Sequence, residues 1–194
     1  MKCVDLNGAS RDLLPAECGL CTWWQPAGAV ERPGWEAAIE AEAGMFGRAL
    51  LEGADVLGWM QVVPAALVRA GLPGGSPSPD AYLLACAFFY DERFLPGFQF
   101  LLQDVVAALK LRRVVALEAY ALRHTGADER FVGYLRELNL FNAQVLEGSG
   151  FTRVRGAGHV GRYRLELETL VAVPRRARTA EQAVAEPGTV PVTP

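Results

Sequence analysis

The sequence has little of what marks a membrane protein, a secreted protein or a nucleic-acid-binding protein. No apolar run approaches the roughly 20 residues of a transmembrane helix, and the first residues lack the apolar core of a signal peptide. The net charge is −3, with no excess of basic residues, which argues against nucleic acid as a partner. We therefore predict a cytoplasmic protein that binds neither membranes nor nucleic acids.

Cysteine and histidine are also scarce, with four and two residues respectively. Cys18 and Cys21 have the Cys-x-x-Cys spacing that serves as half of a zinc site or as a redox dithiol. A structural zinc site needs four ligands, and the remaining cysteines and histidines offer no second closely spaced pair. The sequence therefore favours a structural role for both cysteines, and we expect no bound metal.

The chain does have enough apolar residues for a core, which make up 51% of its 194 residues. A chain of this length is ordinarily one domain, and we assign that domain to residues 1–173. Residues 174–194 are rich in proline, alanine and threonine and contain no aromatic residue. This composition predicts a disordered C-terminal tail.

The centre of the predicted fold is a strand, a helix and a second strand. Residues 81–90 form an almost unbroken apolar run, residues 98–110 have apolar positions at helical spacing, and residues 114–118 are again apolar. This order predicts a right-handed crossover between two parallel strands. Before it, residues 45–52 and 56–63 flank a turn and predict an antiparallel hairpin.

Together with the flanking segments, these elements predict a mixed, strongly twisted sheet that is flanked by helices. The predicted fold class is therefore α/β (α+β mixed sheet). The glycine- and proline-rich residues 71–79 form a connector, or alternatively a flap over a site. The other predicted elements are strands at residues 3–6, 151–155 and 163–173, and helices at residues 35–43, 131–138 and 140–147.

Two motifs resemble those of the GNAT acetyltransferase superfamily. The first is the turn Arg-Phe-Leu-Pro-Gly-Phe from Arg93 to Phe98, and the second begins at Asn139 and ends in Gly150-Phe151. The resemblance covers roughly residues 1–173. It implies a GNAT-like twisted sheet of about six to seven strands flanked by helices.

The chain departs from the family pattern at three positions. Pro96 and Phe98 stand at the two glycine positions of the loop that wraps the pyrophosphate of acetyl-CoA in that family. Leu146 stands where many members carry a tyrosine that protonates the departing thiolate. Pro96 has no N–H to offer a phosphate oxygen, and we expect the side chain of Phe98 to obstruct the approach. We therefore expect weak acetyl-CoA binding.

The resemblance also implies a co-substrate and a reaction. Acetyl-CoA would donate an acetyl group to an amine on a small molecule or a peptide. The end of the first central strand would bind the pantetheine and the thioester oxygen through its backbone. The implied cofactor-binding residues are Phe88, Phe89, Tyr90, Arg93, Gly97, Phe98, Gln99 and Asn139.

Glu118 is the candidate general base, because it is a lone carboxylate in an apolar strand beside the cofactor strand. The alternative is an ion pair with an arginine such as Arg93 or Arg123. Tyr120 and Tyr90 are candidate proton donors, or packing residues whose hydroxyl groups are hydrogen-bonded.

Two functions from different classes remain open. The first is an N-acetyltransferase, favoured by Arg93, Gly97 and Asn139. The second is a catalytically degenerate protein of the same fold that serves as an interaction or regulatory module, favoured by the altered loop. Either could form a homodimer or bind a protein partner.

Overall fold

The first four strands of the computed structural model form an antiparallel half-sheet. The structure describes residues 1–28, 31–72, 74–90, 94–123, 134–135 and 139–169. These strands are β1 Lys2–Leu6, β2 Gly47–Glu52, β3 Asp55–Pro64 and β4 Ala81–Phe89. Adjacent pairs in this half are β1 with β2, β2 with β3 and β3 with β4.

The predicted hairpin is confirmed by the antiparallel pairing of β2 with β3. β3 ends at Pro64, which cannot donate a hydrogen bond to a sheet ladder. A bulge interrupts the pairing of β3 with β4, where Gln61 faces Cys86 but Val62 faces Leu84. Ala85 is therefore the extra residue of β4.

The predicted crossover is confirmed as well. β4 is followed by helix α3, Phe94–Leu111, and by β5, Ala116–Leu122, which is parallel to β4. The parallel register covers three pairs and ends at Leu83 with Glu118. Strand β9, Val160–Glu166, pairs with β5 along its whole other edge, and strand β7, Leu140–Asn142, pairs with the last two residues of β5 on the edge that β4 leaves. The two central strands therefore separate toward their carboxyl ends.

The remaining strands and helices surround this centre. The strands are β6 Tyr134–Leu135, β7 Leu140–Asn142, β8 Thr152–Ala157 and β9 Val160–Glu166. The other helices are α1 Ala16–Leu20, α2 Arg32–Ala43 and α4 Ala143–Gly148, with 3-10 turns at Gly8–Leu13 and Ala65–Leu67. The nine strands described form one mixed sheet, which confirms the predicted fold class.

The segment before α4 differs from the sequence-based prediction. Residues 140–147 were predicted as a helix, but Leu140–Asn142 is a strand and the helix begins at Ala143. Asn139 has φ 52°, outside the helical region, and the Asn142 side chain caps α4 by accepting from the Gln144 N–H at 2.8 Å. Of the helix predicted at residues 131–138, only residues 134–135 are described, as strand β6.

Apolar side chains cover both faces of the sheet. On one face α3 and α4 pack against residues such as Met60, Leu84 and Leu117. On the other face α2 packs against Trp59, Val63 and others. Within the described part of the chain, no helix is long and apolar enough to cross a membrane. The predicted tail, residues 174–194, lies outside the described residues.

We predict that Gly58→Ala destabilises the protein by about 1–3 kcal/mol, the usual cost of overpacking a core. A Cβ at Gly58 would clash with the ring of Phe89 and lie 2.5 Å from the Phe88 carbonyl oxygen. Gly148→Ala is the control, because its Cβ would meet nothing within 4 Å, and it should be neutral or stabilising. Urea denaturation measures both, and equal midpoints would contradict the prediction.

Candidate functional site

A cavity of about 160 Å³ lies on the α2 face of the sheet. We call it the β4–α2 cavity. Its wall is mostly apolar, with a few polar and thiol side chains among aromatic ones. It is lined by Leu6, Leu14, Glu17, Cys18, Cys21, Trp24, Arg32, Phe46, Trp59, Gln61, Cys86, Ala87, Phe88 and Asn139.

A buried ion-pair network supports one side of this cavity. Arg32 is only 6% exposed and lies at the first turn of α2, where the helix dipole disfavours a cation. Glu36, one turn later and 2% exposed, accepts from Arg32 Nε at 2.7 Å and from Arg11 Nε at 2.7 Å. Arg32 also donates to the Cys21 carbonyl oxygen and, at 3.2 Å, to Gln61 Oε1. The network therefore fixes the guanidinium against β3.

Gln61 is a buried amide, 3% exposed, whose orientation follows from its neighbours. Its oxygen accepts from Arg32 and faces the Cys86 sulfur at 3.8 Å. Because a guanidinium has only donors, the amide oxygen must face it. The Gln61 Nε2 group then has no hydrogen-bond partner among the described residues.

Trp24 provides a second buried donor in the same wall. Its ring stacks on Tyr120 with centroids 5.9 Å apart, and its Nε1 likewise finds no partner within the described segments. An unpaired buried donor costs about 1–3 kcal/mol. Buried polar groups are normally hydrogen-bonded, so two such donors in the wall of one cavity are consistent with a ligand that supplies the missing acceptors.

Three cysteines, Cys18, Cys21 and Cys86, line this cavity, and none of them is in a disulfide. Burial raises the pKa of the Cys86 thiol to about 12, against a smaller lowering by the Arg32 charge. Cys86 is therefore a neutral thiol at physiological pH. Among the described residues, no group of three or more Cys, His, Asp or Glu side chains could hold a metal ion.

Two of the predicted cofactor residues, Phe88 and Asn139, lie together in the cavity wall. Phe88 stacks on Trp59 at 4.6 Å, and the Tyr90 ring meets Phe88 edge-on at 5.1 Å. Tyr90 is 56% exposed at this edge. The cavity thus reaches the carboxyl end of β4, where the resemblance places the thioester. Arg93 lies outside the described residues.

Two further predicted cofactor residues, Phe89 and Gly97, do not line the β4–α2 cavity but pack on each other. A Cβ at Gly97 would lie 2.8 Å from Phe89 Cε1, so the glycine is needed for the close approach of this ring. Phe89 and Gly97 line a separate cavity of about 260 Å³, together with Pro96 and others. The structure therefore gives Gly97 a packing role whether or not it also meets a cofactor.

The expected obstruction by Phe98 is wrong. Its side chain is fully buried and packs toward Phe141, with ring centroids 6.1 Å apart, because it falls on the core face of α3. Pro96 and Gln99, on either side of Phe98 along the chain, are exposed. Pro96 is thus the one departure in this loop that alters its outer surface, through its missing N–H.

Glu118 is fully buried but does not line the β4–α2 cavity. Its carboxylate accepts from the Ser78 hydroxyl at 2.7 Å and from the Ser78 N–H at 3.0 Å. It also forms ion pairs with Arg164 at 3.3 Å and Arg162 at 3.5 Å. These contacts favour the ion-pair alternative. The partners are Arg162 and Arg164, whereas the sequence suggested an arginine such as Arg93 or Arg123. The role of Glu118 as a base stays a prediction.

Tyr120 has the contacts of a packing residue. It is 1% exposed, its hydroxyl donates to the Gly75 carbonyl oxygen, and burial raises its pKa. Arg162 donates to the Ser76 carbonyl oxygen. Residues 74–78 are thus fastened to β5 and β9, which agrees with the connector predicted for this loop.

Sequence reasoning did not single out Arg32, Gln61 or Trp24. Gln61 carried a signal, because it is the one polar residue in the apolar run 56–63 apart from glycine. Arg32 carried no such signal, because it precedes the helix predicted at residues 35–43 and a charged residue at such a place normally lies in solvent.

Comparisons with known proteins identify the architecture. No protein-family model and no curated protein matches the sequence. GphF, a GNAT-like decarboxylase solved in complex with isobutyryl-CoA, superposes with a TM-score of 0.50 at 17% identity, covering 86% of this chain and 100% of that one. Aminoglycoside 6'-acetyltransferase type Ii gives 0.50 at 13% identity, covering 91% and 100%. At these identities the similarity concerns the fold.

We predict that Glu118→Gln lowers the free energy of unfolding by about 1.5–3 kcal/mol, the value of a hydrogen bond to a charged group. Glu166→Gln is the matched control, because Glu166 pairs with the same Arg164 at 2.6 Å but is 52% exposed. An exposed pair of this kind contributes about 0–1 kcal/mol. Urea denaturation of both variants tests this, and a Glu118→Gln loss no larger than that of the control would refute it.

Proposed function

We propose that this chain, which has the GNAT fold, is an acyltransferase that moves an acetyl group from acetyl-CoA to an amine held in the β4–α2 cavity. The observation that supports this is the cavity itself. It combines an apolar wall with buried donors that have no partner among the described residues, and Ala87, Phe88 and Asn139 are part of its lining. An acceptor in it would therefore meet the strand end on which the resemblance places the thioester.

Acetyl-CoA, when bound, supplies an activated acetyl thioester. The features of the chain that fit it are the separation of β4 from β5 beyond Leu83 and the positive end of the α3 dipole just after β4. The backbone at Ala87 and Phe88 would hold the pantetheine and polarise the thioester carbonyl. The first turn of α3 would face the pyrophosphate, with the N–H of residue 96 missing.

Removal of a proton from the amine requires a base near the acceptor. Glu118 is the base predicted from the sequence, but its carboxylate is occupied by Ser78 and two arginines. Glu17 is the carboxylate that lines the cavity, and it is exposed to solvent at its rim. Leu146 is fully buried and has no hydroxyl, so Tyr90 is the proton donor best placed at the end of β4.

The second candidate function is that of a catalytically degenerate interaction or regulatory module. Its support is the α3 turn, where Pro96 removes a donor and the Phe89 ring fills the space beside Gly97. Both functions predict a folded GNAT domain, and they differ in whether acetyl-CoA binds.

We predict that acetyl-CoA binds the purified chain and that Pro96→Ala strengthens binding by up to about 10- to 150-fold. The restored N–H would give one hydrogen bond to a phosphate, worth about 1.5–3 kcal/mol. Isothermal titration calorimetry measures both affinities, and thermal unfolding of Pro96→Ala checks that the helix is intact. If neither protein binds acetyl-CoA, the degenerate function is supported instead.

We predict that Glu17→Gln lowers kcat for acetyl transfer by about 10²–10⁴-fold, the usual contribution of a positioned base. The same assay on Glu118→Gln, run well below its melting temperature, compares the two carboxylates directly. A loss of that size in Glu118→Gln, with normal turnover in Glu17→Gln, would return the role of base to Glu118.

A further inference from the structure

The two unpaired donors of the β4–α2 cavity define the chemistry of its ligand. Gln61 Nε2 and Trp24 Nε1 are both in side chains that are 97% buried, and neither meets an acceptor among the described residues. A ligand that satisfies them must carry oxygen or nitrogen lone pairs. A ligand that carries only donors at this end, such as a diamine, would leave both groups unsatisfied.

The charge beside these donors favours an anion over a neutral acceptor. Glu36 carries one negative charge and is contacted by two arginines, Arg11 and Arg32, so the three side chains together carry a charge of +1. Arg32, the buried member that lines the cavity, uses one N–H of each of its three nitrogens for Glu36, Cys21 and Gln61. A guanidinium has five N–H groups, so two have no partner within the described segments and could meet a ligand.

The opposite charge lies at the solvent side. Among the described residues that line the cavity, the only charged ones are Arg32, which is buried, and Glu17, which is exposed. A molecule with a carboxylate at one end and an amine at the other would match this polarity. The volume of about 160 Å³ is below the roughly 300–1,000 Å³ of sites for drug-sized ligands, so the buried part of the ligand is small.

We propose that the acceptor is a small amino carboxylate, whose carboxylate is held by Gln61 Nε2, Trp24 Nε1 and the guanidinium of Arg32. The apolar wall, with Leu6, Phe46 and Trp59, would contact its side chain. This assignment rests on the proposed function for the reacting amine, whereas recognition of the carboxylate does not depend on acetyl transfer.

Binding is tested without acetyl-CoA. The probes are the twenty L-amino acids, their carboxamides, which keep the carbonyl acceptor but lose the charge, and the corresponding decarboxylated amines. Each is titrated calorimetrically, and each is then offered with acetyl-CoA in a turnover assay. We expect at least one amino acid to bind, its carboxamide to bind about tenfold or more weakly, and its amine to show no measurable binding.

The sharpest variant is Gln61→Glu, which keeps an acceptor for Arg32 and replaces the unpaired donor by a negatively charged oxygen. It should weaken binding of the amino acid by about 100-fold or more while the protein remains folded. Gln25→Glu is the matched control, because Gln25 Nε2 also has no partner among the residues described but Gln25 does not line this cavity. Trp24→Phe, which keeps the ring, should cost about 10- to 150-fold for one lost hydrogen bond to a charged group.

Binding and turnover together distinguish failure of the carboxylate site from failure of the proposed acetyl transfer. Amino acids that bind but are not acetylated would support the carboxylate site and contradict the transferase. Amines that bind or react as well as their parent amino acids would overturn the carboxylate site, and so would binding that is equal in wild type and both cavity variants. Failure of all twenty amino acids to bind would also overturn it.

Discussion

Glu36 is the carboxylate on which the α2 side of the molecule depends. It is buried and accepts from Arg11, beside α1, and from Arg32 at the start of α2. Arg32 in turn contacts Gln61 of β3 and the carbonyl oxygen of Cys21. Glu36 and Arg32 together therefore connect the N-terminal segment, the Cys-x-x-Cys segment, α2 and the sheet. Loss of one partner from such a buried pair is usually far more costly than the net stability that the pair provides.

The amino-terminal end of the central parallel strands has a comparable centre in Glu118. There a buried carboxylate connects Ser78, at the end of the long connecting loop, to Arg162 and Arg164 of β9. Arg164 also binds Asp80 and Glu166. The surroundings of the two carboxylates differ in whether nearby hydrogen-bond donors have acceptors. The Glu118 carboxylate has several donors, whereas near Glu36 and Arg32 two donors of the cavity wall have no acceptor in the part of the chain that the structure describes.

Much of the fold follows from the sequence, because long apolar runs and helical spacing report burial directly. The hairpin, the crossover and the helix at residues 35–43 follow from such patterns. Strand β7 does not, since its three residues pair with β5 and their apolar spacing also suits a helix. The left-handed backbone of Asn139 decides between the two, and no local pattern marks it.

The site was less accessible to sequence reasoning than the fold. Phe88 and Asn139 were found through the resemblance and do lie in one cavity wall. Glu118 was chosen because it is alone in an apolar strand, but a lone carboxylate is equally suited to an ion pair whose partners lie about 45 residues away. Arg32 and Gln61 meet across 29 residues, so their proximity depends on tertiary packing that neither segment encodes by itself.

The extra residue in β4 has a consequence for how this protein can change over evolution. Side chains of a strand alternate between the two faces of a sheet, and the bulge at Ala85 resets that alternation between Leu84 and Cys86. The side chains from Cys86 to the end of β4 therefore point to the faces that they do because of this one inserted residue. A substitution in β4 changes one side chain and leaves the other side chains on the faces that they already occupy. The loss of a single codon there would turn Phe88 away from the cavity and exchange the two faces of the strand end together.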